Sequence, residues 1–354
     1  MSQKLTIFIH IYKHPHRIEK HIISIWVLKM GGGLLILDHN EPESNELDEE
    51  FVSNSLESLP EGFVANALSL TSPRDVCRLS SVCSVFRSAA EWDAVWEKFL
   101  PFDYQKIVTE TVDGGVDGLV RLGSKKEVYL SLCDRPVIID GGSKSFWLDK
   151  WSGKRCYMLA ARDLSIVWDD TPMYWRWISV PESRFSEVVE LMSVCWLEVH
   201  GKINISMLSI DTCYVAYLVY KSTPNTYGFE HHPAEVSFGL RDVITPEGQM
   251  KKMYLDPEVY QSQIYEHGHV QEEKLGRRTG MFNPFRRLGS QCNVRPPLNG
   301  PKRRPDGWLE IELGEFLNED GKQGEVEMSV MEVKGRNWKG GLIIQGIEIR
   351  PKAS

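Results

Sequence analysis

From residue 155 to 354 apolar residues recur at every second position. In "WLEIEL", Leu309, Ile311 and Leu313 share one face, while Trp308, Glu310 and Glu312 share the other. A period of two marks a half-buried strand. "TCYVAYLVYK" is apolar on both faces, as a central strand covered on both sides would be. "EVSFGL", "GEVEMSVMEV" and "GLIIQGIEIR" add further strands. Many short strands with few helices between them predict an antiparallel β-sandwich. Residues 245–305 interrupt the pattern with a long polar stretch containing glycine and proline, read either as a loop inserted at an edge or as a partly disordered segment.

Upstream the period changes. Between 55 and 102 apolar residues return every three or four positions, and three helices are predicted. Phe63, Val64, Ala67 and Leu68 lie on one helical face. A second helix opens at "SPRD": Ser72 can cap it, Pro73 suits the first turn and Asp75 suits the positive helix end. Val76, Leu79, Val82, Cys83 and Phe86 continue that stripe. A third helix carries Trp92, Val95, Trp96 and Phe99. Helices this short bury little alone; they cap the strand domain or dock a partner. Residues 103–154 read as a linker, with a glycine loop at 113–118 and a short helical pattern in "KKEVYLSLCD" at 125–134. Residues 1–54 read as a flexible N-terminal extension, because "DHNEPESNELDEE" lacks core-forming residues. Met30 opens "MGGGLLILDHNEPES" and reads as a second candidate start; Leu35 and Ile36 stand where a myristoylation signal wants Ser or Thr.

Composition narrows the function. The 354 residues carry a formal charge of −8. That balance argues against a general binder of nucleic acid or of an anionic membrane. No segment reaches the roughly 20 apolar residues that span a bilayer. Seven cysteines, widely spread and without a C-x-x-C, read as reduced thiols of a cytoplasmic or nuclear protein. "EHGH" at 266–269 and "EHH" at 230–232 lack a third metal ligand at defined spacing and read as solvated histidines. "PKRRP" at 301–305 reads as a basic turn. No P-loop, nucleophile elbow or dinucleotide fingerprint is present, and no paired carboxylates stand out for glycosidase work. No cofactor, metal or catalytic residue is expected.

Two stretches carry family resemblances. "LP" at 59–60, "SPRDVCRLSSVCSVFRSAA" at 72–90 and "VWEKFLP" at 95–101 resemble an F-box. The resemblance implies binding of a Skp-type adaptor and, through it, a cullin ubiquitin ligase. It implies that Leu59, Pro60, Leu68, Asp75, Val76, Leu79, Val82 and Trp96 form or support the adaptor surface. Leu59 and Pro60 lead that set, since they precede the first helix and have no evident core duty.

"GKRCYMLAARDLSIVWDDTPMYWRW", "WLEVHGKI", "DGWLEIELGEF" and "GEVEMSVMEVKGRNWKGGLIIQGIEIRP" resemble the phloem-protein-2-like, Nictaba-type plant lectins over about 155–351. The resemblance implies a jelly-roll-like β-sandwich and binding, without metal, of glycans that contain N-acetylglucosamine. An indole packs the C–H face of a sugar ring, and carboxylates accept its hydroxyls. By motif, Trp168 and Trp175 match the family's sugar-site tryptophans, and Glu325 and Glu332 its carboxylates. Met158 stands where the family has a further tryptophan.

The residues themselves constrain these roles. Trp168 shares parity with Leu164 and Ile166, a core face, unless the strand ends at "DDTP". Trp175 stands nearest the turn, and Trp177 reads as packing. Glu332 shares parity with Val326, Met328 and Val330, so it needs a strand end, a rim or a polar pocket. Glu325 shares parity with Glu327 and reads as solvated.

The combined expectation is an α+β chain: a small three-helix F-box at 55–102, then a lectin-like antiparallel sandwich at 155–354. Its expected function is that of a non-catalytic, target-selecting subunit of a ubiquitin ligase, binding N-glycans or glycoproteins. Two alternatives stay open: a carbohydrate-binding protein with a vestigial F-box, and a protein-binding adaptor with a decayed lectin site.

Overall fold

A computed structural model describes residues 59–111, 123–240, 250–260, 300–319 and 323–353. The expected N-terminal extension, the glycine loop at 113–118, "EHGH", Cys292 and most of the 245–305 loop lie outside the described residues.

Four short helices stand where three are expected: α1 (Glu61–Ser69), α2 (Pro73–Leu79), α3 (Ser84–Ala89) and α4 (Asp93–Glu97). Ser72 caps α2 by accepting from the Asp75 amide at 3.2 Å, with Pro73 at the first position. The Val76–Phe86 stripe is not one helix. The hydroxyls of Ser80 and Ser81 donate to the carbonyls of Cys77 and Arg78, competing with the backbone ladder there. Cys83 is extended, and α3 starts afresh. Val64, Leu68, Val76, Phe86, Val95 and Trp96 close the helical core. Helix α5 (Tyr104–Thr109) follows.

The described parts of the expected linker, 103–111 and 123–154, carry helices and strands. Helix α6 (Lys125–Asp134) opens with a reciprocal capping box between Ser124 and Glu127. It leans on the first four helices: the Lys125 amide donates to Asp93 Oδ1, Lys126 pairs with Glu91, and the Tyr129 and Trp96 rings lie 5.2 Å apart. Strands β1 (Val137–Ile139) and β2 (Lys144–Leu148) come next. β2 pairs with β3 (Arg155–Ala160), so the sandwich begins near 137, upstream of the expected 155.

The remaining strands are β4 (Ser165–Ile166), β5 (Trp175–Ile178), β6 (Val188–Leu191), β7 (Leu197–Asn204), β8 (Thr212–Tyr227), β9 (Ala234–Leu240), β10 (Lys251–Met253), β11 (Lys302–Arg303), β12 (Leu309–Asn318), β13 (Glu325–Glu332) and β14 (Gly340–Pro351). The larger sheet runs β1-β2-β3-β14-β8-β12-β11, with β6 on β14 and β5 on β6; the smaller runs β10-β9-β13-β7-β4. Among the described residues every pairing is antiparallel, as the period-two pattern predicts. β8 sits between β14 and β12, which explains its two apolar faces.

One edge of β14 serves two partners. Its residues 343–344 pair with β6 and residues 346–349 with β3, with a register shift between Ile344 and Gly346. A Cβ on Gly346 would lie 1.9 Å from the Leu159 carbonyl oxygen, so only glycine permits this changeover. The changeover lets the β5–β6 hairpin, with its tryptophans, join this edge of the larger sheet.

The main core lies between the sheets. Gly201 of β7 faces Ile347 of β14 so closely that a Cβ would stand 3.1 Å from its terminal methyl. Leu159, Leu218, Val199, Val326, Met328 and Val330 fill the rest. A second layer covers the far side of the larger sheet, where Met158, Ala160, Phe185, Val188, Val219 and Trp308 cluster. Glu310 and Glu348 are buried in that layer, so at Glu310 the polar face of "WLEIEL" is covered. Arg304 contacts both carboxylates at 3.1 Å and Arg350 contacts both at 2.8 Å. Buried carboxylates demand such partners.

Candidate functional site

Strand β4 ends at Ile166, and the chain then turns. Trp168 has φ +63°, a left-handed backbone rare outside glycine. The turn is held by amide bonds from Asp169 to the Ile166 carbonyl and from Thr171 to the Trp168 carbonyl. It breaks the strand parity, so the Trp168 indole leaves the core and is 42% exposed. Tyr174 packs beside it, ring centroids 5.6 Å apart. Together they make an aromatic shelf. Asp169 and Asp170 follow directly and line a cleft of about 450 Å³ with Arg162, Pro172, Trp175, Arg176 and Trp177.

The other expected sugar contacts are placed differently. Trp175 is 2% exposed and its indole N–H donates to the Val167 carbonyl at 3.1 Å. It forms the floor of the cleft and holds the turn that presents Trp168; its stacking face is not free. Trp177, expected to be packing, lines the same cleft under the Arg162 guanidinium, 3.5 Å from its ring.

Glu332 is buried and found its polar pocket. Its Oε1 accepts from the Gly335 amide at 2.9 Å, and its Oε2 lies 2.5 Å from Lys339 Nζ. Lys339 is fully buried and also donates to the Cys195 and Asn337 carbonyls. The pair pins the loop that carries exposed Trp338 and leaves Glu332 no free lone pair at the surface. Glu325 is exposed, at the other end of β13. Seven residues of strand separate the two carboxylates, roughly 23 Å, so they cannot grip one ring. The four residues carried by motif therefore do not converge, and Trp168 alone of them is open beside the cleft. Asp169 and Asp170, which read in the sequence only as turn formers, are the carboxylates nearest the shelf along the chain. Among the described residues no group of three or more His, Cys, Asp and Glu is arranged to hold a metal. His231 and His232 are exposed.

The helical module has its own surface. Leu68, Val76, Leu79 and Trp96 are at most 5% exposed, so they support the module from inside and do not meet a partner directly. Asp75 bonds Ser72 and forms part of the α2 cap. Leu59 is half-buried and Pro60 exposed; the Pro60 carbonyl accepts from the Phe63 and Val64 amides and starts α1. Val82 is exposed, as are Phe63, Leu70 and Trp92. Phe63 on α1 and Leu70, which caps its C-terminal end, are seven apart and share a face. Trp92 is steered by its N–H bond to Glu61. Phe63, Leu70 and Trp92 were the apolar positions left over once the module's core was satisfied, a distinction only packing makes.

Comparison with known proteins covers both parts. Residues 56–98 match the F-box domain and residues 154–351 match phloem protein 2. F-box protein PP2-B1 of Arabidopsis thaliana is 40% identical, over 85% of this chain and 91% of its own length. F-box protein PP2-B10 of the same plant is 41% identical, over 84% and 95%. F-box protein VBF is 42% identical, over 83% and 99%. A family 35 carbohydrate binding module from Clostridium thermocellum aligns with 55% of this chain and 96% of its own at 10% identity, with a TM-score of 0.26. That likeness is too slight to argue from. With both domains matched in order and relatives aligned along most of their length, the chain belongs to the F-box proteins that carry a phloem protein 2 domain.

Proposed function

We propose that this chain is the target-selecting subunit of a Skp–cullin ubiquitin ligase, working in the cytoplasm or nucleus, and that its sandwich selects glycans or glycoproteins containing N-acetylglucosamine. The observation that carries the proposal is the pairing of two open surfaces on one compact unit. One is the apolar set Phe63, Leu70, Val82 and Trp92 on the F-box helices. The other is the Trp168–Tyr174 shelf beside a cleft with two aspartates. An apolar helical surface suits a protein partner. An exposed indole next to carboxylates suits a ring with C–H faces and hydroxyl edges. The chain itself does no bond chemistry on this reading; it holds a target near enzymes that do.

Co-purification with a Skp-type adaptor tests the first half, and Phe63→Glu is expected to abolish it. A glycan array tests the second. Wild type is expected to retain N-acetylglucosamine oligomers and Trp168→Ala to lose them. A second reading has its own support. Trp175 and Glu332 are sealed, which favours a sandwich that recognises protein surfaces instead. An empty array from folded wild type would favour that reading over the first.

A further inference from the structure

The outward face of the smaller sheet carries an arrangement that the fold does not require. Leu197, Val199, Gly201 and Ile203 of β7 are buried, so Glu198, His200 and Lys202 point away from the core. Ser165, His200, Ser329 and Ser237 stand in one row across four strands. The two serine hydroxyls in the middle of the sheet bond each other at 2.7 Å. His200 lies between two carboxylates: Nε2 is hydrogen-bonded with Glu198 Oε1 at 2.8 Å, and Nδ1 stands 3.1 Å from Glu327 Oε1 with no hydrogen bond to it. Glu198 Oε2 in turn accepts from the Trp196 indole N–H at 2.8 Å.

Trp196 is the telling member. It is 46% exposed, yet its orientation is fixed by its N–H bond to Glu198, a carboxylate that His200 also holds. An exposed indole normally loses rotamer freedom only when a ligand arrives; here that cost is met in advance. Glu198, His200 and Glu327 keep only about a quarter of their side-chain surface in water. The His200 bond holds the Glu198 carboxyl below its ordinary range, so it stays an acceptor. The face is open at Gly239, where a Cβ would meet nothing within 4 Å. Its charges nearly cancel, with Glu198, Glu235, Glu325 and Glu327 set against Lys202, Lys252 and Lys334. A balanced face with hydroxyls, acceptors and a fixed indole fits a neutral, hydroxyl-rich chain better than a charged peptide. The Val167 amide donates to the Glu198 carbonyl at 3.1 Å, which joins the turn bearing Trp168 to this face.

We propose that the outward face of the smaller sheet is an extended saccharide subsite: Trp196 stacks on later rings of a chain whose first ring sits on Trp168, and Glu198 accepts their hydroxyls. The proposal rests on the saccharide reading of Trp168 and adds length selection to it. Calorimetry on the full chain with N-acetylglucosamine dimer and tetramer tests it. Wild type is expected to bind the tetramer about tenfold more tightly than the dimer, the effect of one added stacking contact. Trp196→Ala is expected to bring the tetramer down to the dimer's affinity and leave the dimer unchanged, whereas Trp168→Ala weakens both. In wild type, the Trp196 indole N–H resonance is expected to move with tetramer and not with dimer. That readout needs no variant to fold. Full length selection in Trp196→Ala, or none in wild type, would overturn the extended subsite and leave the Trp168 reading standing. Binding of neither oligomer by wild type would overturn both.

Discussion

The hydroxyl of Tyr129, on helix α6, donates to the backbone carbonyl of Asp149 at 3.2 Å, in the turn between β2 and β3. The Lys150 carbonyl shares that hydroxyl at the same distance. Tyr129 also packs on Trp96 of the F-box core, so one side chain touches the helical module and the sandwich together. Gly153 completes the junction. It has φ +69°, and a Cβ there would stand 3.5 Å from the Phe99 carbonyl oxygen, Pro73 and the Tyr129 hydroxyl. Arg155 pairs with Asp103 close by. The helical module is thus braced against the sandwich, not tethered to it.

The brace predicts shared unfolding. Tyr129→Phe is expected to cost about 1–2 kcal/mol, the loss of a largely buried hydroxyl bond. Gly153→Val is expected to cost roughly as much through backbone strain alone. In both variants chemical denaturation should remain one transition if the two parts unfold together; a split into two would show that the brace does not couple them.

Lys339 and Glu332 form a fully buried pair. Removing one partner strands the other charge. Lys339→Met is expected to destabilise by about 3–5 kcal/mol, and the double change Lys339→Met with Glu332→Leu to recover much of it. Thermal denaturation of the two variants checks this; equal losses would mean that the pair is not coupled.

Two tryptophans that look alike in sequence should behave oppositely. Trp175→Ala empties a closed site and is expected to cost about 3–5 kcal/mol. Trp168→Ala removes a side chain that is 42% exposed, and is expected to leave stability within about 1 kcal/mol. Denaturant midpoints measured on both variants separate the structural indole from the presented one.

Acid should loosen the smaller sheet. The hydrogen bond from His200, and then that from Trp196, lower the Glu198 pKa in the folded protein. A carboxylate with a depressed folded pKa contributes stability that is present above its unfolded value and lost as pH falls through the folded one. Stability of wild type is therefore expected to fall below about pH 4.3 more steeply than that of Glu198→Gln. Parallel pH profiles would remove Glu198 from the account.

Thiol chemistry should be selective. Burial, the main cause, raises the Cys133 pKa to about 12, whereas Cys77 is exposed. Brief alkylation near pH 8, read by mass spectrometry, is expected to label Cys77 and spare Cys133 until the protein is unfolded. Equal labelling of the two in the native state would contradict this.

The sequence by itself determined the two-part plan, and it did so through local chemistry. A period of two requires strands that bury one face, and Ser72, Pro73 and Asp75 can do little but start a helix. The family motifs belong to the same level, since they are read along the chain. The helical pattern at 125–134 was legible in the same way, and the structure adds the Ser124–Glu127 capping box that opens it. Tertiary structure decided which residues are open. Trp168 and Trp175 both sit in turn-flanking aromatic sequence, but a single left-handed residue swings one outward while the other donates its N–H to the core. Glu332 announced by its parity that it needed a partner; that the partner is Lys339, seven residues on and across a loop, follows from chain reversal. Glu310 stood on the polar side of a strand; Arg304, from the segment before β12, and Arg350 of β14 hold it in the interior. Periodicity records which face of one strand is apolar. It holds no information about what a distant segment lays on the other face, and burial of a polar group depends on that.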